Sequence, residues 1–510
     1  MTDYVFGANI LENLTTGMYQ DSKVIYREYI QNSCDQIDKA VKDGILKPGE
    51  GTIKIWLDRD QRTIIVEDNA TGIPATSFQR SLGNIADSDK KIGEDKGFRG
   101  IGRLCGLAYC KELVFKSSAI GEDTVSIMVC DAKKMRELIE ENERGKKHTA
   151  NEVLHAINRF EQKKADDIDS HFFRVELIDI NRENTDLLDF QQVKDYLSFV
   201  APVPYQSSFY YRSEVYEHAK DLHVGVDEYD ITLEGESIFK KYTTILKDTT
   251  GTKYDDVFGV HFKNFYGADG ELFAWMWVGL SRFQRAIPKI NQMRGLRLRK
   301  ENIQIGGEDS LQKLFKEDRG NSYFVGEVFA VNKDLIPNSQ RDYFNENTAR
   351  AEFERELRKY FNEELHKIYY DGSAINSAYK KIDTYEKKEA EFNKKENAGG
   401  FVDEGHRERE LKIVLDSEKE AKTAQVRIER MKDKADDLMK KVIHRIEVER
   451  PPSVNTSPHK GVKPPHRTDR LTQYSRSERK LISKIFSIIL TSTDSETSER
   501  IISRIEEELQ

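Results

Sequence analysis

The stretch 20–42, QDSKVIYREYIQNSCDQIDKAVK, constrains the chain more than any other, because it reads as one amphipathic helix whose polar stripe has the wrong composition for a solvent face. At about 100° per residue, Glu28, Asn32 and Asp35 fall within roughly 60° of one another. Tyr26, Ile30, Cys34, Ile37 and Val41 take the opposite side and are expected to pack on a sheet. A solvated face would carry Lys and Glu. A carboxylate, a carboxamide and a second carboxylate at i, i+4 and i+7 suit a metal and a water instead: Glu28 can polarise a water, and Asn32 can ligate Mg²⁺ through its carbonyl oxygen. Taken alone, E-x3-N-x2-D fits an ordinary solvated helix face better.

Two later stretches reverse that balance. In VEDNATGIP (66–74) the preceding run TIIV, a good buried strand, delivers Asp68 to its end, and a turn containing Gly72 follows. In KGFRGIGRLCGLAYC (96–110), Gly97, Gly100 and Gly102 let the backbone approach a phosphate, with a helix expected immediately after them.

Together and in this order, these segments resemble the motifs of the GHKL ATPase superfamily, shared by gyrase-type topoisomerases, heat-shock chaperones, histidine kinases and mismatch-repair ATPases. The run VFGANILENLTTGMYQDSKVIYREYIQNSCDQIDKA resembles the opening segment of the ninety-kilodalton heat-shock chaperones, and LGNIADSDK (82–90) the start of their lid. MRGLRLRKENIQIG (293–306) and FVGEVFAVNKDLIPNSQRDYF (324–344) resemble the middle domain of the same chaperones. The resemblance covers residues 5–370 and implies ATP and Mg²⁺ as ligands. On it, Glu28 is the base that activates water, Asn32 the Mg²⁺ ligand, Asp68 the acceptor for the adenine amine, and Arg341 the cation that reaches the γ-phosphate from a catalytic loop. Asp35, Gly72, Lys96, Gly97, Arg99, Gly100, Ile101 and Gly102 complete the implied nucleotide site. Three places depart from the family pattern. Phe172, Phe173 and Arg174 stand where a Thr is usual, Ala70 replaces the first glycine of D-x-G-x-G, and Arg341 follows Pro337 by four residues rather than five.

The fold class expected is α/β multi-domain: a GHKL-type α/β sandwich over 1–205, a second α/β middle domain (transducer, S5-like) over 225–370, then a coiled-coil helical part and a small helical module. Strands are expected near 52–57, 62–67, 112–117, 124–130 and 171–180, a lid near 75–100, and charged, helix-favouring sequence over 131–168. In the second domain the best strands are 257–265, 271–280 and 322–331. Trp275 and Trp277 share one strand face there and read as core or interface rather than as a ligand platform. Arg297 and Arg299 alternate on another strand and read either as backup cations or as partners of acids.

Beyond 370 the chaperone resemblance ends. Residues 373–396 and 404–447 read as two long charged helices separated by ENAGGF, a hairpin over 373–447. Ala421, Ala424, Ile428, Met431, Ala435, Leu438 and Val442 repeat at alternating spacings of three and four, a coiled-coil seam whose partner is either this chain or a second subunit. A proline-rich linker (450–474) and a helical module (475–510) follow. From His459 to Lys484 there are eight Lys or Arg against two acids, although the whole chain carries a net charge of −8.

At 510 residues, 37% hydrophobic and 33% charged, the chain is expected to hold two to four soluble domains. No apolar run approaches the ~20 residues of a membrane span, and MTDYVFGANI lacks the marks of a signal peptide, so the expected compartment is the cytoplasm. Cys34, Cys105, Cys110 and Cys130 show no paired C-x2-C spacing and read as reduced core residues. The function these readings favour is an ATP-hydrolysing conformational switch, a homodimer acting on a protein client or complex. The alternative is a nucleic-acid clamp of microrchidia type that uses the coiled coil and the basic 459–484 segment. A histidine protein kinase is disfavoured, because the ATPase motifs start near residue 5 and leave no room for a preceding phosphoacceptor helix.

Overall fold

The computed structural model describes residues 5–15, 17, 21–85, 96, 100–397, 400–450 and 471–510. Gly97 and Arg99, with residues 86–95 of the expected lid, and the linker residues 451–470 lie outside this set. The chain divides into two compact units, Met1–Leu280 with Ala286–Glu364, and Ser281–Arg285 with Leu365–Gln510.

The first unit opens with α1 (Asn9–Thr15), α2 (Val24–Lys42), β1 (Thr52–Asp58), β2 (Thr63–Asp68), α3 (Ala75–Gly83) and a 3₁₀ segment, Gly102–Ala108. It continues through β3 (Glu112–Ser118), β4 (Thr124–Asp131), α4 (Ala132–Glu143), α5 (Ala150–Ile157), β5 (Asn158–Lys164), β6 (Phe172–Ile178), α6 (Phe190–Val200), α7 (Arg212–Asp221), β7 (Asp230–Leu233) and β8 (Glu236–Ser237). These strands form one sheet in the order β5-β4-β3-β6-β2-β1-β7-β8. All its pairings are antiparallel except β1 with β7.

Alternation explains the layering. Ile53 and Ile55, Ile64 and Val66, Leu113 and Phe115, and Val175 and Leu177 turn one sheet face into a core shared with Tyr26, Ile30, Cys34 and Ile37 of α2. Neighbouring positions on the other face are ionic, with Lys116 at 2.7 Å from Glu176 and Arg174 paired to Glu67. The four cysteines are buried and free.

Two expectations need correcting. The stretch 131–168 is not helical throughout: it ends in β5, whose sequence NRFEQKK is almost wholly exposed, as a charged strand guarding a sheet edge would be. Residues 225–237 do not begin the second domain, because β7 runs parallel to β1, with Ile53 opposite Ile231 and Ile55 opposite Leu233, and buries both partners in the first core.

The rest of this unit holds a two-stranded ribbon, β9 (Ile245–Lys247) with β10 (Lys253–Asp256), and a second sheet. That sheet is built from β11 (Gly259–Tyr266), β12 (Leu272–Leu280), β13 (Gly295–Lys300), β14 (Ile303–Gln304) and β15 (Val325–Ala330), in the order β11-β12-β15-β13-β14, with helix α8 (Thr348–Tyr360) following. Trp275 and Trp277 are core residues, and Trp275 stacks on Phe329 with ring centroids 4.3 Å apart. Arg299 is fully buried against Glu327, as is Lys240 at 3.1 Å. Tyr205, Tyr242 (3.2 Å) and Trp277 (3.3 Å) add hydrogen bonds to the same carboxyl. Although burial opposes ionisation, Arg299 and Lys240 hold the Glu327 carboxyl well below the usual range. Arg297 caps the ring of Phe199 at 4.2 Å and donates to Gln304 at 3.0 Å. Both arginines are therefore spoken for inside this core.

The second unit comprises α9 (His366–Asn397), α10 (Glu404–Asp433), α11 (Asp437–Val448), α12 (Arg476–Ser492) and α13 (Ser495–Leu509). Lys395 meets Glu410, Lys388 meets Ser417 and Lys381 meets Glu420, so α9 and α10 run antiparallel as a hairpin within the chain. The expected single helix 404–447 is broken at 434–436. Asp436 caps α11 by accepting from the Met439 N–H at 2.8 Å, and the buried positions shift from Ala421, Ala424 and Ile428 to Met439, Val442, Ile443 and Ile446.

Candidate nucleotide site

The site is built on α2, the end of β2 and the segments around Lys96 and Arg341, all within the first unit. β2 carries Asp68 into the interior, where it is 2% exposed. Its carboxyl accepts from the Ser33 hydroxyl at 2.7 Å and from the Ala70 N–H at 3.1 Å. Burial nevertheless dominates and pushes the group up to about 7. The turn after β2 needs one left-handed residue, Gly72 at φ 63°, and any Cβ there would meet the Ser118 carbonyl oxygen at 1.9 Å. Ala70 has no positive φ, so the missing first glycine costs this turn nothing. Across the ladder from Asp68 stands Phe173.

On α2 around Ser33 lie Glu28, buried, Asn32, half-buried, and Asp35, buried. The segment after the glycine motif is 3₁₀ rather than α, because it is clamped to α2. A Cβ on Gly102 would come within 2.3 Å of Glu28 Oε2, and one on Gly106 within 2.4 Å of the Tyr29 hydroxyl, which accepts from the Gly106 N–H at 3.1 Å. Gly100 is left-handed at φ 67°, and Ile101 is half-buried at the 3₁₀ start.

Lys96 ties these parts together through its backbone. Its N–H donates to Asp35 Oδ1 at 2.7 Å, and its carbonyl accepts from both Gln31 Nε2 and the Arg341 guanidinium. Its ammonium goes to Asp38 at 2.6 Å and Asp227 at 3.3 Å. Arg341 is 8% exposed. Burial lowers its guanidinium below the ordinary value, while Glu28, Glu301 and Asp35 oppose that shift. Arg27 reaches the same loop, donating to the Gln340 carbonyl at 3.0 Å and lying 3.3 Å from Glu28.

The structure thus brings Glu28, Asp35, Lys96, Gly102 and Arg341 together, with Asp68 at the end of β2 joined to the same helix through Ser33 and Gly72 in the turn that follows. Ser33, Gln31, Arg27 and Asp38 were not foreseen. Arg27, Gln31 and Asp38 lie within roughly 40° of one another on the helical wheel, beside the stripe already noticed. That second polar line was the available signal.

Residues 20–165 match the family described as histidine kinase-, DNA gyrase B-, and HSP90-like ATPase, and the N-terminal region is a GHKL-type ATPase domain. Individual relatives match over shorter reaches. The chaperone protein HtpG of Coxiella burnetii is 34% identical over 85 residues, covering 16% of this chain and 13% of that protein. HtpG of Bacillus velezensis is 29% identical over 130 residues (22% and 21%), and HtpG of Psychrobacter arcticus 33% over 129 (24% and 19%). The chain therefore spans only 13% to 21% of the length of these relatives.

Proposed function

We propose that this chain binds and hydrolyses ATP and uses the cycle as a conformational switch, acting as a homodimer on a protein client or complex. The observation that carries the reading is the convergence of Gln31 from the ATPase helix and Arg341 from the second α/β region on one carbonyl, that of Lys96, with Arg341 buried among charges that include Glu28. An arginine delivered from outside the nucleotide domain to the side of a candidate base is what a composite hydrolytic site requires.

In this reading Asp68 accepts from the adenine amine, and the backbone around Gly100 and Gly102 faces the phosphates. Glu28 takes a proton from water as its oxygen bonds to the γ-phosphorus and the bond to the β-phosphate oxygen breaks, releasing ADP. Arg341 offsets the charge that develops on the transferring group. The donor set suits Mg²⁺: Asn32 offers a carboxamide oxygen one turn from Glu28, and the neighbouring buried Gln31 Oε1 has no hydrogen-bond partner among the described residues. Asn32 would hold the ion, which would supply positive charge against the phosphates.

Glu28→Ala is expected to bind ADP as wild type does while turnover falls roughly 10²–10⁴-fold. Unchanged turnover, measured by phosphate release, would remove Glu28 from the role of base. A nucleic-acid clamp is the second reading, favoured by Lys480 and Lys484, which stand exposed one turn apart on α12. Binding to DNA or RNA that falls steeply with salt would support it over a protein client.

A further inference from the structure

Lys96 does more in this structure than precede the glycines. Its side chain is 8% exposed, yet its ammonium has acids on two sides from different parts of the chain, Asp38 Oδ2 of α2 at 2.6 Å and Asp227 Oδ2, shortly before β7, at 3.3 Å. Tyr229 closes the cluster: its hydroxyl donates to both Asp38 oxygens at 2.7 and 2.8 Å, and its ring lies 5.5 Å from the ammonium. A buried ammonium held this way is expensive to leave half-paired, so its partners fix where it sits.

Asp227 also carries the connection onward. Its carbonyl accepts from Asn302 Nδ2 at 2.6 Å, Asn302 Oδ1 accepts from Lys240 Nζ at 2.7 Å, and Lys240 is bound to Glu327. Glu301 and Asn302, at the tip of the β13–β14 hairpin, are both left-handed, φ 51° and 59°. Two adjacent left-handed residues are the ordinary geometry of a two-residue turn joining antiparallel strands, and side chains and backbone around this one hold it in place. Here the surroundings are Asp227, Lys240 and the Arg299 guanidinium, which donates to the Asn302 carbonyl at 2.8 Å.

We propose that Lys96 is a positioning residue for ATP turnover: its side chain fixes the seat on which Arg341 rests and, through Asp227 and Asn302, sets that seat's position relative to the buried ionic core of the second sheet. This inference rests on the ATPase reading above. It differs from the role the family resemblance implies, in which Lys96 contacts nucleotide. Here the ammonium faces two acids, and it is the carbonyl that receives Arg341.

The test uses the full chain with Lys96→Met, Asp227→Asn, the double variant and Lys96→Arg, each checked for folding by circular dichroism and for ADP affinity by titration. A positioning role predicts that Lys96→Met and Asp227→Asn each lower kcat about tenfold or more while KM and the ADP Kd stay within about threefold. The double variant should be no worse than the worse single one, because both break the same link. Lys96→Arg, whose guanidinium also reaches both acids, should keep kcat within about threefold of wild type. If instead Lys96→Met weakens ADP binding about tenfold while Asp227→Asn turns over normally, Lys96 is a nucleotide ligand and the proposal is overturned. Wild-type turnover that Glu28→Ala abolishes, but that survives in both Lys96→Met and Asp227→Asn, would overturn the positioning role and leave the ATPase reading standing. A wild-type chain without turnover would overturn both.

Discussion

On the proposed reading, Asp68 is unfavourable for the fold and necessary for the site. Its carboxyl titrates at about 7 in the folded protein, against about 3.9 in an unfolded chain. The folded state therefore binds this proton more tightly, and stability is lost as pH rises from about 4 to about 7, the loss being complete above that. Asp68→Asn removes the cost, and Ser33 can turn its hydroxyl to suit an amide. In urea unfolding at pH 8 the variant is expected to be more stable than wild type by roughly 1–3 kcal/mol, with the difference vanishing near pH 4. It should bind ADP far more weakly, because half of the new amide donates where the adenine amine needs an acceptor. Wild-type ADP affinity, for the same reason, is expected to weaken as pH falls through about 7. Equal stability at pH 8 would show that Asp68 is better solvated than its burial implies. Arg341→Ala belongs to the same scale. It alters nothing that binds the base, so ADP affinity should stay near wild type while phosphate release slows by about tenfold or more. Asp68 was legible because a strand, an acid and a glycine turn follow one another in the chain. Ser33 was not, since a serine on a helix is silent until the strand end that needs its hydroxyl is packed beside it.

Among elements, β7 was the least visible from sequence. DITL is four residues long, and Gly235 in the short turn after it is its only local mark; what makes it a strand of the large sheet is the open edge of β1, more than 170 residues earlier in the chain. Periodicity reports only on its own neighbourhood, so long-range parallel pairing leaves no trace in it. A fragment ending at residue 205 would strip β7 and β8 from the sheet and expose Ile53 and Ile55 along a raw edge. A fragment ending at 238 keeps Ile231 and Leu233 in place, and should melt higher than the shorter one by several degrees, on the order of 5 °C or more. Coincident melting curves would mean that β7 contributes little. The break between α10 and α11 escaped notice for the opposite reason. The alternation of three and four runs straight through Ala435 and Leu438, and only Asp436, a good cap inside an otherwise helical run, gives it away. The helix α2, strands β1 to β4 and β6, and the buried tryptophans were readable because each has a periodicity that its local packing does not override.

At the scale of the whole molecule, the division into units does not follow the chain. Ser281–Arg285 interrupts the first unit between β12 and β13, yet belongs with residues 365–510. Phe283 is 1% exposed at a left-handed φ of 52°, with Gly372 of α9 so close that a Cβ there would lie 3.1 Å from the Phe283 Cβ. The Arg282 carbonyl accepts from Asn376 at 2.6 Å. A chain truncated after residue 364 leaves Phe283 without these partners. It is expected to keep the nucleotide site but to aggregate on warming, which light scattering would detect, and Phe283→Ser in the truncated chain should reduce that aggregation. Equal scattering from the truncated and full chains would contradict the assignment of this segment.

The same five residues set a schedule for the ribosome. All strands of both sheets have been synthesised when residue 364 has been added, but Phe283 must wait for α9. At about 5–20 residues per second, the 146 residues from 365 to 510 take roughly 7 to 30 seconds to synthesise, so the nascent protein carries a finished nucleotide domain and an uncovered phenylalanine at the same time.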